Sequence, residues 1–411
     1  MKNLVLLLAA IVAGLFLVEI GLRIAGVSYP AFYMEDRYVG DRLRPGAAGT
    51  WPREQRENPD PVLIRINSEG MHDVEHTIAK PPNTLRIAVL GDSFAEAMSV
   101  PIEDAFWSVL ERRLDSCPSF GGKKVEALNF GVSGYGTAQE LLMLRHYAWQ
   151  YHPDIVLLAF FTGNDVRNNS AALNDDPSVP YFIYKGDRLV VDNSFRGRLR
   201  SLKLSPAEME ASNFLAAVRN HSRLVQLLSE ARTMFGRRAA MKKAEEAKDD
   251  MAGQESAAAA GGELGLDNEV YSPPRDATWA EAWRVTEGLI VEMRDEVQAH
   301  GAQFWVVTLS TGIQVYPIAA TREAFMKRLG VDSLFYPDQR VAALCEREHI
   351  NVITLAPEMQ QYAESHHVYL HGFAGKDLGF GHWNVAGNRV AGEMIARQIC
   401  ARNFGDRLRN P

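Results

Sequence analysis

The sequence predicts an α/β fold built on a parallel sheet, and three observations carry that prediction. Short apolar runs of strand length recur at 86–90, 125–130, 154–161, 304–309 and 352–355. Segments with helical spacing of apolar residues alternate with them. Two runs end directly in Gly, at Gly91 and Gly131, and a third in Thr162-Gly163, as strands do when they feed loops at one edge of a sheet.

Taken in order, the first element is apolar from Leu4 to Val18, with Lys2 before it and Glu19 and Arg23 near its far end. A signal-peptide core and a short membrane anchor both fit this pattern. The weakness of Ala25-Gly26-Val27 as a cleavage site favours an uncleaved anchor over residues 1–26, which enters the membrane through residues 3–26. Its place as the first apolar segment carries the expectation of export.

Residues 27–82 are broken by Pro30, Pro45, Pro52, Pro59, Pro61, Pro81 and Pro82, and read as an extended arm. The α/β pattern fills 83–165. Strand 86–90 precedes a helix over 105–114, strand 125–130 precedes a helix over 138–149, and strand 154–161 is apolar enough to be buried on both faces. From 166 to 275 the alternation stops. Ile183 to Val191 suggests a hairpin around Gly186-Asp187, and 206–235 reads as one long amphipathic helix. The stretch 236–264 has almost no large apolar residue and suits a solvated or flexible segment. This insertion is expected to cap the carboxyl edge of the sheet, where open parallel sheets bind ligands. Residues 276–411 resume the pattern with a helix over 279–300, strands 304–309 and 352–355, and a closing helix over 385–401.

A net charge of −7 without a basic patch excludes a nucleic-acid footprint. Cys117, Cys345 and Cys400 match no metal spacing; one disulfide and three buried thiols both fit.

Four short segments carry the chemistry: Gly91-Asp92-Ser93-Phe94, Asn129-Phe130-Gly131-Val132-Ser133-Gly134, Thr162-Gly163-Asn164-Asp165 and Gly381-His382-Trp383-Asn384. Ser93 comes two residues after a strand, where a hydroxyl stands exposed at a strand-to-helix turn as a nucleophile. His382, at the mouth of the final helix, is its candidate base. The Ser93 N–H, the Gly134 N–H and the Asn164 side-chain amide are candidate oxyanion donors. The bland readings are a helix N-cap for Ser93, a turn for Gly134, an Asx-turn for Asn164 and a structural histidine for His382. Each suffices alone, but they do not account for the four together.

In order and spacing these blocks resemble the SGNH hydrolases of the GDSL superfamily over residues 86–400. The resemblance implies a three-layer α/β/α flavodoxin-like sheet, with carboxylic-ester hydrolysis or acyl transfer through an acyl-enzyme on Ser93. It needs no cofactor and no metal. The anchored architecture, with Asn67-Ser68-Glu69-Gly70-Met71 ahead of the core, is similar to proteins that modify bacterial envelope polysaccharides. That likeness implies a carbohydrate or small acyl ester substrate, a membrane protein as partner, and a catalytic domain outside the cytoplasm. In one respect the chain departs from the pattern. The family's Asp two or three residues before the histidine is replaced by Phe380 and Gly379, leaving either Asp377, five residues before His382, to complete a triad, or a backbone carbonyl to orient the histidine in a Ser-His dyad.

Two other classes fit parts of the sequence. A degenerate site on a membrane-anchored scaffold would explain the missing Asp, and a hydrolase of lipids or small esters would use the same nucleophile. His72-Asp73-Val74-Glu75-His76 matches an inverted zincin pattern, but Pro81 and Pro82 deny it a lasting helix. Trp383, Tyr135 and Tyr316 are candidate walls of a sugar site and equally candidate core.

Overall fold

The computed structural model describes residues 2–51, 56–234 and 264–402. Five strands form the main sheet: β1 (Thr84–Gly91), β2 (Lys124–Asn129), β3 (Ile155–Phe161), β4 (Gln303–Leu309) and β5 (Asn351–Thr354). Their order is β2-β1-β3-β4-β5, and every pairing is parallel.

Successive strand residues face opposite sides of the sheet and so feed two separate cores. Leu85, Ile87 and Val89 of β1 point to one side with Leu157, Ala159, Trp305 and Val307. Ala88 and Leu90 point to the other with Val156, Leu158, Phe160 and Val306. Helices Phe106–Leu114, Ala356–His366 and Val385–Ala401 cover the first side. Helices Thr137–Met143, Ala277–Ala299 and Tyr336–Arg347 cover the second. The result is a three-layer α/β fold. With no wet face, the strands read as continuous apolar runs rather than alternating ones.

The Pro-rich arm joins the second core. Phe32, Val39, Leu43, Ala47, Ile64, Ile66 and Met71 are buried in it. Two short antiparallel pairs stiffen the arm, Tyr33–Asp36 with Gly40–Leu43 and Ala48–Gly49 with Ile64–Arg65. Its far end is fastened to β1 by the fully buried Arg86. That guanidinium donates to the carbonyls of Thr77, Ile78 and Tyr151 and pairs with Glu126 at 3.0 Å. A buried charge is tolerable only when its donors are met in this way.

In the insertion, Tyr181–Lys185 and Arg188–Asp192 pair as a hairpin around Gly186-Asp187. The single helix expected over 206–235 is two. Pro206–His221 ends where Ser222 turns to an extended conformation, and a second helical stretch covers 223–234. The segment expected to be flexible, 236–264, lies outside the described residues except for Leu264. Lys2–Ile24 is one helix, long and apolar enough to cross a membrane or serve as a signal sequence, with none of its residues buried.

Cys117 and Cys400 are disulfide-bonded across 283 residues, and Cys345 is a buried free thiol. The bond fastens the closing helix to the turn that precedes β2. Removing a native disulfide typically costs about 2–5 kcal/mol. The double variant Cys117→Ser/Cys400→Ser, which leaves no stray thiol, will therefore unfold at a lower temperature than the parent with unchanged far-UV circular dichroism. An unaltered melting temperature would show that the bond adds nothing to stability.

Candidate active site

Ser93 sits where β1 leaves the sheet. Asp92 is the N-cap of the single helical turn Ser93–Glu96, its carboxylate accepting from the Phe94 N–H at 2.9 Å. Beside this turn runs the loop after β2, which continues the strand pairing through Phe130 N–H to Val89 O and Val132 N–H to Gly91 O. Gly131 makes that approach feasible, because a Cβ there would lie 2.5 Å from the Ala95 Cβ and 2.7 Å from the Ala95 carbonyl carbon. The Asn129 side chain holds the loop from within, accepting from the Gly131 N–H at 2.9 Å and donating to the His72 carbonyl.

His382 follows a looped segment closed by two backbone bonds, Gly372 N–H to His382 O and Gly379 N–H to His371 O. Asn384 then caps the final helix, accepting from the Gly387 N–H. The His382 ring packs against Phe94 with 4.9 Å between centroids. Its Nε2 lies 2.7 Å from Ser93 Oγ, and its Nδ1 lies 2.6 Å from Glu57 Oε1.

Glu57, in the arm, therefore occupies the position that sequence analysis assigned to Asp377. Both ring nitrogens of His382 are engaged, one by Ser93 and one by Glu57. Asp377 is exposed, and its carbonyl accepts from the Phe380 N–H in the turn ahead of His382. The loop turns that side chain outward, so closeness in sequence does not become closeness to Nδ1. Glu57 carried no local signal: it lies 325 residues from its partner in a segment without periodicity.

The arm is fixed around this carboxylate. Ser99 Oγ donates to Glu57 Oε2 at 3.1 Å, Asn58 Nδ2 donates to the Ser99 carbonyl, and Lys376 donates to the Arg56 carbonyl. A cavity of about 210 Å³ opens beside the Ser93–His382 pair. Its walls are Tyr33, Trp51, Arg56, Glu57, Asn58, Asp60 and Val62 from the arm, with Glu96, Met98, Ser99 and Ser133 from the sheet edge. Among the described residues none of the lining comes from the insertion at 166–275, so the covering expected of the insertion is supplied here by the arm. The aromatic candidates also change. Trp383 and Tyr135 are buried, donating to Ser310 Oγ and the Asp41 carbonyl. Tyr316 is half-buried against Tyr369 and Phe380. The aromatic walls are instead Tyr33 and Trp51.

Gly134 directly follows Ser133 of the cavity wall, with φ +81° and open space where a side chain would stand. Asn164 is the residue before the short helix Asp165–Asn168, at the carboxyl end of β3. Asp165 holds that loop by accepting from the Phe161 N–H at 2.8 Å. The residues of the zincin-like pattern face three separate partners. His72 Nδ1 meets the Glu96 carbonyl, Glu75 accepts from Ser68, and His76 pairs with Asp73.

The carboxyls around Ser93 divide into two kinds. Burial would raise Glu57, but the hydrogen bond and charge of His382 and the bond from Ser99 outweigh it and hold it below the usual range. Glu57 is therefore ionised and only accepts, which puts the proton on His382 Nδ1 and leaves Nε2 free to accept from Ser93. The others are pushed upward by burial: Asp92 to about 6 and Glu96 to about 8, despite the Ser133 backbone and Tyr33 hydroxyl bonds to Glu96. Asp165 and Glu140 rise well above the usual range, burial again leading, with neighbouring carboxyl charge adding to it.

These shifts set the sign of a pH effect. Unfolded, Glu96 ionises near 4.5; folded, it keeps its proton to about 8. Its stabilising contribution is fully present below pH 4.5 and is lost as pH rises through about 8. The melting temperature should fall between pH 5 and 8, and Glu96→Gln should flatten that fall. A variant curve parallel to the parent's would contradict the assignment.

No family model matches the chain, and no curated protein matches it. Solved structures are similar to it at a distance. The acetyl xylan esterase AlAXEase is 10% identical with a TM-score of 0.37, the likeness covering 77% of this chain and 100% of that one. LAE5, an alpha/beta hydrolase from the metagenome of Lake Arreo, Spain, is 13% identical with a TM-score of 0.36, covering 80% and 100%. The acetylxylan esterase Axe2 from Geobacillus stearothermophilus, as a catalytic mutant, is 10% identical with a TM-score of 0.36, covering 79% and 96%.

Proposed function

We propose that this protein is a serine-dependent carboxylic-ester hydrolase or O-acyltransferase of the SGNH type, acting on acetyl esters of envelope or extracellular carbohydrate. The observation that carries the reading is the unbroken hydrogen-bonded line from Ser93 Oγ through His382 to Glu57. The strand order β2-β1-β3-β4-β5 supports the finer description of the sheet as flavodoxin-like, with the site at its carboxyl edge.

In this mechanism Glu57 fixes the tautomer and orientation of His382 and stabilises the imidazolium that forms. His382 Nε2 takes the proton of Ser93, and Ser93 Oγ attacks the ester carbonyl. The oxyanion is met by the N–H groups of Ser93 and Gly134 and by the Asn164 amide. Collapse expels the alcohol, which receives its proton from His382. Water or a sugar hydroxyl then gives up a proton to His382 and attacks the acyl-enzyme, and His382 returns that proton to Ser93 Oγ as it leaves, releasing acid in the first case and a new ester in the second.

The cavity favours a short acyl group over a long chain, because it is small and its apolar wall is interrupted by Arg56, Asn58 and Asp60. Trp51 and Tyr33 beside those polar groups suit a sugar ring, which offers both an apolar face and hydroxyls. A carboxylate on His382 Nδ1 removes one support of the noncatalytic scaffold reading, the missing Asp. The disulfide supports a catalytic domain outside the cytoplasm, since such bonds persist in oxidising compartments. The apolar first helix supports retention at the membrane.

Fluorophosphonate labelling of the full chain tests the nucleophile. The parent should label, Ser93→Ala should not, and His382→Ala should label far more slowly. A folded parent that does not label, or Ser93→Ala labelling like the parent, would remove the reading. The third member is tested by turnover of an aryl acetate. Loss of the orienting carboxylate costs about 10⁴ in the serine-protease case. Glu57→Gln should fall by about 10²–10⁴ on that scale, whereas Asp377→Asn should stay close to the parent. The reverse pattern would return the role to Asp377.

A further inference from the structure

We propose that the helix pair 206–221 and 223–234 is seated on the lipid bilayer beside the N-terminal helix, with Phe214, Leu215 and Leu228 in contact with lipid. This rests on the reading of Lys2–Ile24 as a retained anchor, and the contacts of that helix are its first support.

At about 1.5 Å per residue the 23-residue helix is about 35 Å long, enough for a hydrocarbon core of about 30 Å. Glu19 and Arg23 fall in its last turns, at headgroup depth. There they act as part of the fold. The Glu19 carboxylate accepts from Ser222 Oγ and from the backbone N–H groups of Arg223 and Leu224, each at 3.0 Å. It thus caps the amino end of the second helix of the pair. Arg23 donates to the His221 carbonyl, the last residue of the first helix, and to Glu19 at 2.8 Å. A leader removed after export would leave those groups unmet.

The junction fixes how the pair stands. Arg223 donates to Ser28 Oγ at 2.8 Å, and the Tyr29 and Ala31 N–H groups donate to Gln226 and Asn220. Gln226 is fully buried there. Among the described residues, nothing covers Phe214 and Leu215 of the first helix or Leu228 of the second. Ala207, Ala211, Phe214, Leu215 and Val218 recur at three- and four-residue spacing, an apolar stripe of the kind a helix turns to a core. Yet Phe214 is 67% exposed, Leu215 64% and, on the second helix, Leu228 61%. A lipid surface is the occupant that this position selects. The stripe belongs to helices fastened to the last turns of an anchor, and an amphipathic helix lying in the interface buries such a stripe among headgroups and acyl chains.

The test is site-directed nitroxide labelling of the full chain in lipid nanodiscs, comparing collisions with oxygen and with a water-soluble nickel chelate. Labels at Phe214→Cys, Leu215→Cys and Leu228→Cys are set against Ile318→Cys, an exposed position on the α/β domain, and Leu8→Cys within the anchor. The oxygen-to-nickel ratio should be several-fold higher at 214, 215 and 228 than at 318, and highest at 8. A ratio at these three positions equal to that at 318 would overturn the seating while a high ratio at 8 kept the anchor. A low ratio at 8 as well would overturn both. Shielding of all three from both reagents would mean that protein covers the stripe, from this chain or a second copy, and would also overturn the proposal. The three sites are on the surface, so a fold lost at one leaves the others to decide.

Discussion

The hydrogen bond between Glu57 and His382 spans 325 residues of sequence, and it places a demand on everything between its ends. The arm must cross the α/β domain along one path to deliver a carboxylate within 2.6 Å of an imidazole. That path is pinned at several points. Arg86 fastens its far end beneath the sheet, Asp73 accepts from the Asn129 N–H at the end of β2, and Tyr33 donates to Glu96 in the turn that Ser93 opens. The apolar side chains of the arm then fill the same core as one whole face of the sheet. Ordering so irregular a chain costs backbone entropy at every residue, and burial of Phe32, Val39, Leu43 and Ile64 is the opposing term. Stability of the arm and geometry of the site are consequently one property.

The same constraint explains the uneven electrostatics around Ser93. Four carboxyls, those of Asp92, Glu96, Glu140 and Asp165, are buried near the carboxyl ends of β1 and β3. Were all of them charged, their field would oppose the negative charge that the proposed attack on an ester would develop. Burial instead favours their neutral forms. Glu57 alone among these acids is held low, by its bond to His382, with its side chain still 31% exposed. Under the proposed mechanism charge would be kept beside a His382 imidazolium and lowered, most at Glu96, Glu140 and Asp165, near the oxyanion. Two environments thus shift chemically equivalent groups in opposite directions.

How far the sequence reveals this depends on where each signal lies. Ser93, Gly134, Asn164 and His382 sit at ends of regular elements, so strand runs and a helix cap mark their places. The five sheet strands were legible for the same reason: burial on both faces makes them continuous apolar runs. Helices Ala319–Leu329, Tyr336–Arg347 and Ala356–His366 were not, because each buries only a thin stripe between charged residues. Pro337 and Pro357, in the first turns of two of them, were usable start signals. Glu57 had no such marker. In a segment punctuated by proline one acid looks like another, and only the tertiary path of the arm singles it out. Asp377 attracted attention through nearness in sequence, a poor guide where the chain turns back on itself between His371 and His382.

The arm also links the site to the N-terminal helix. Ser28 accepts both from Arg223 of the insertion and from the Thr50 N–H, and Thr50 precedes Trp51 in the cavity wall. Ala31 is bonded to Asn220, two residues before the cavity-lining Tyr33. One short stretch therefore carries the junction with the helix pair and part of the cavity wall. With the pair seated as proposed, the mouth of the cavity has a set height and tilt relative to the bilayer. A swinging tether would impose neither. An acyl acceptor held near a membrane would then meet Ser93 at an angle fixed by Ser28, Arg223 and Gln226, side chains with no part in the chemistry.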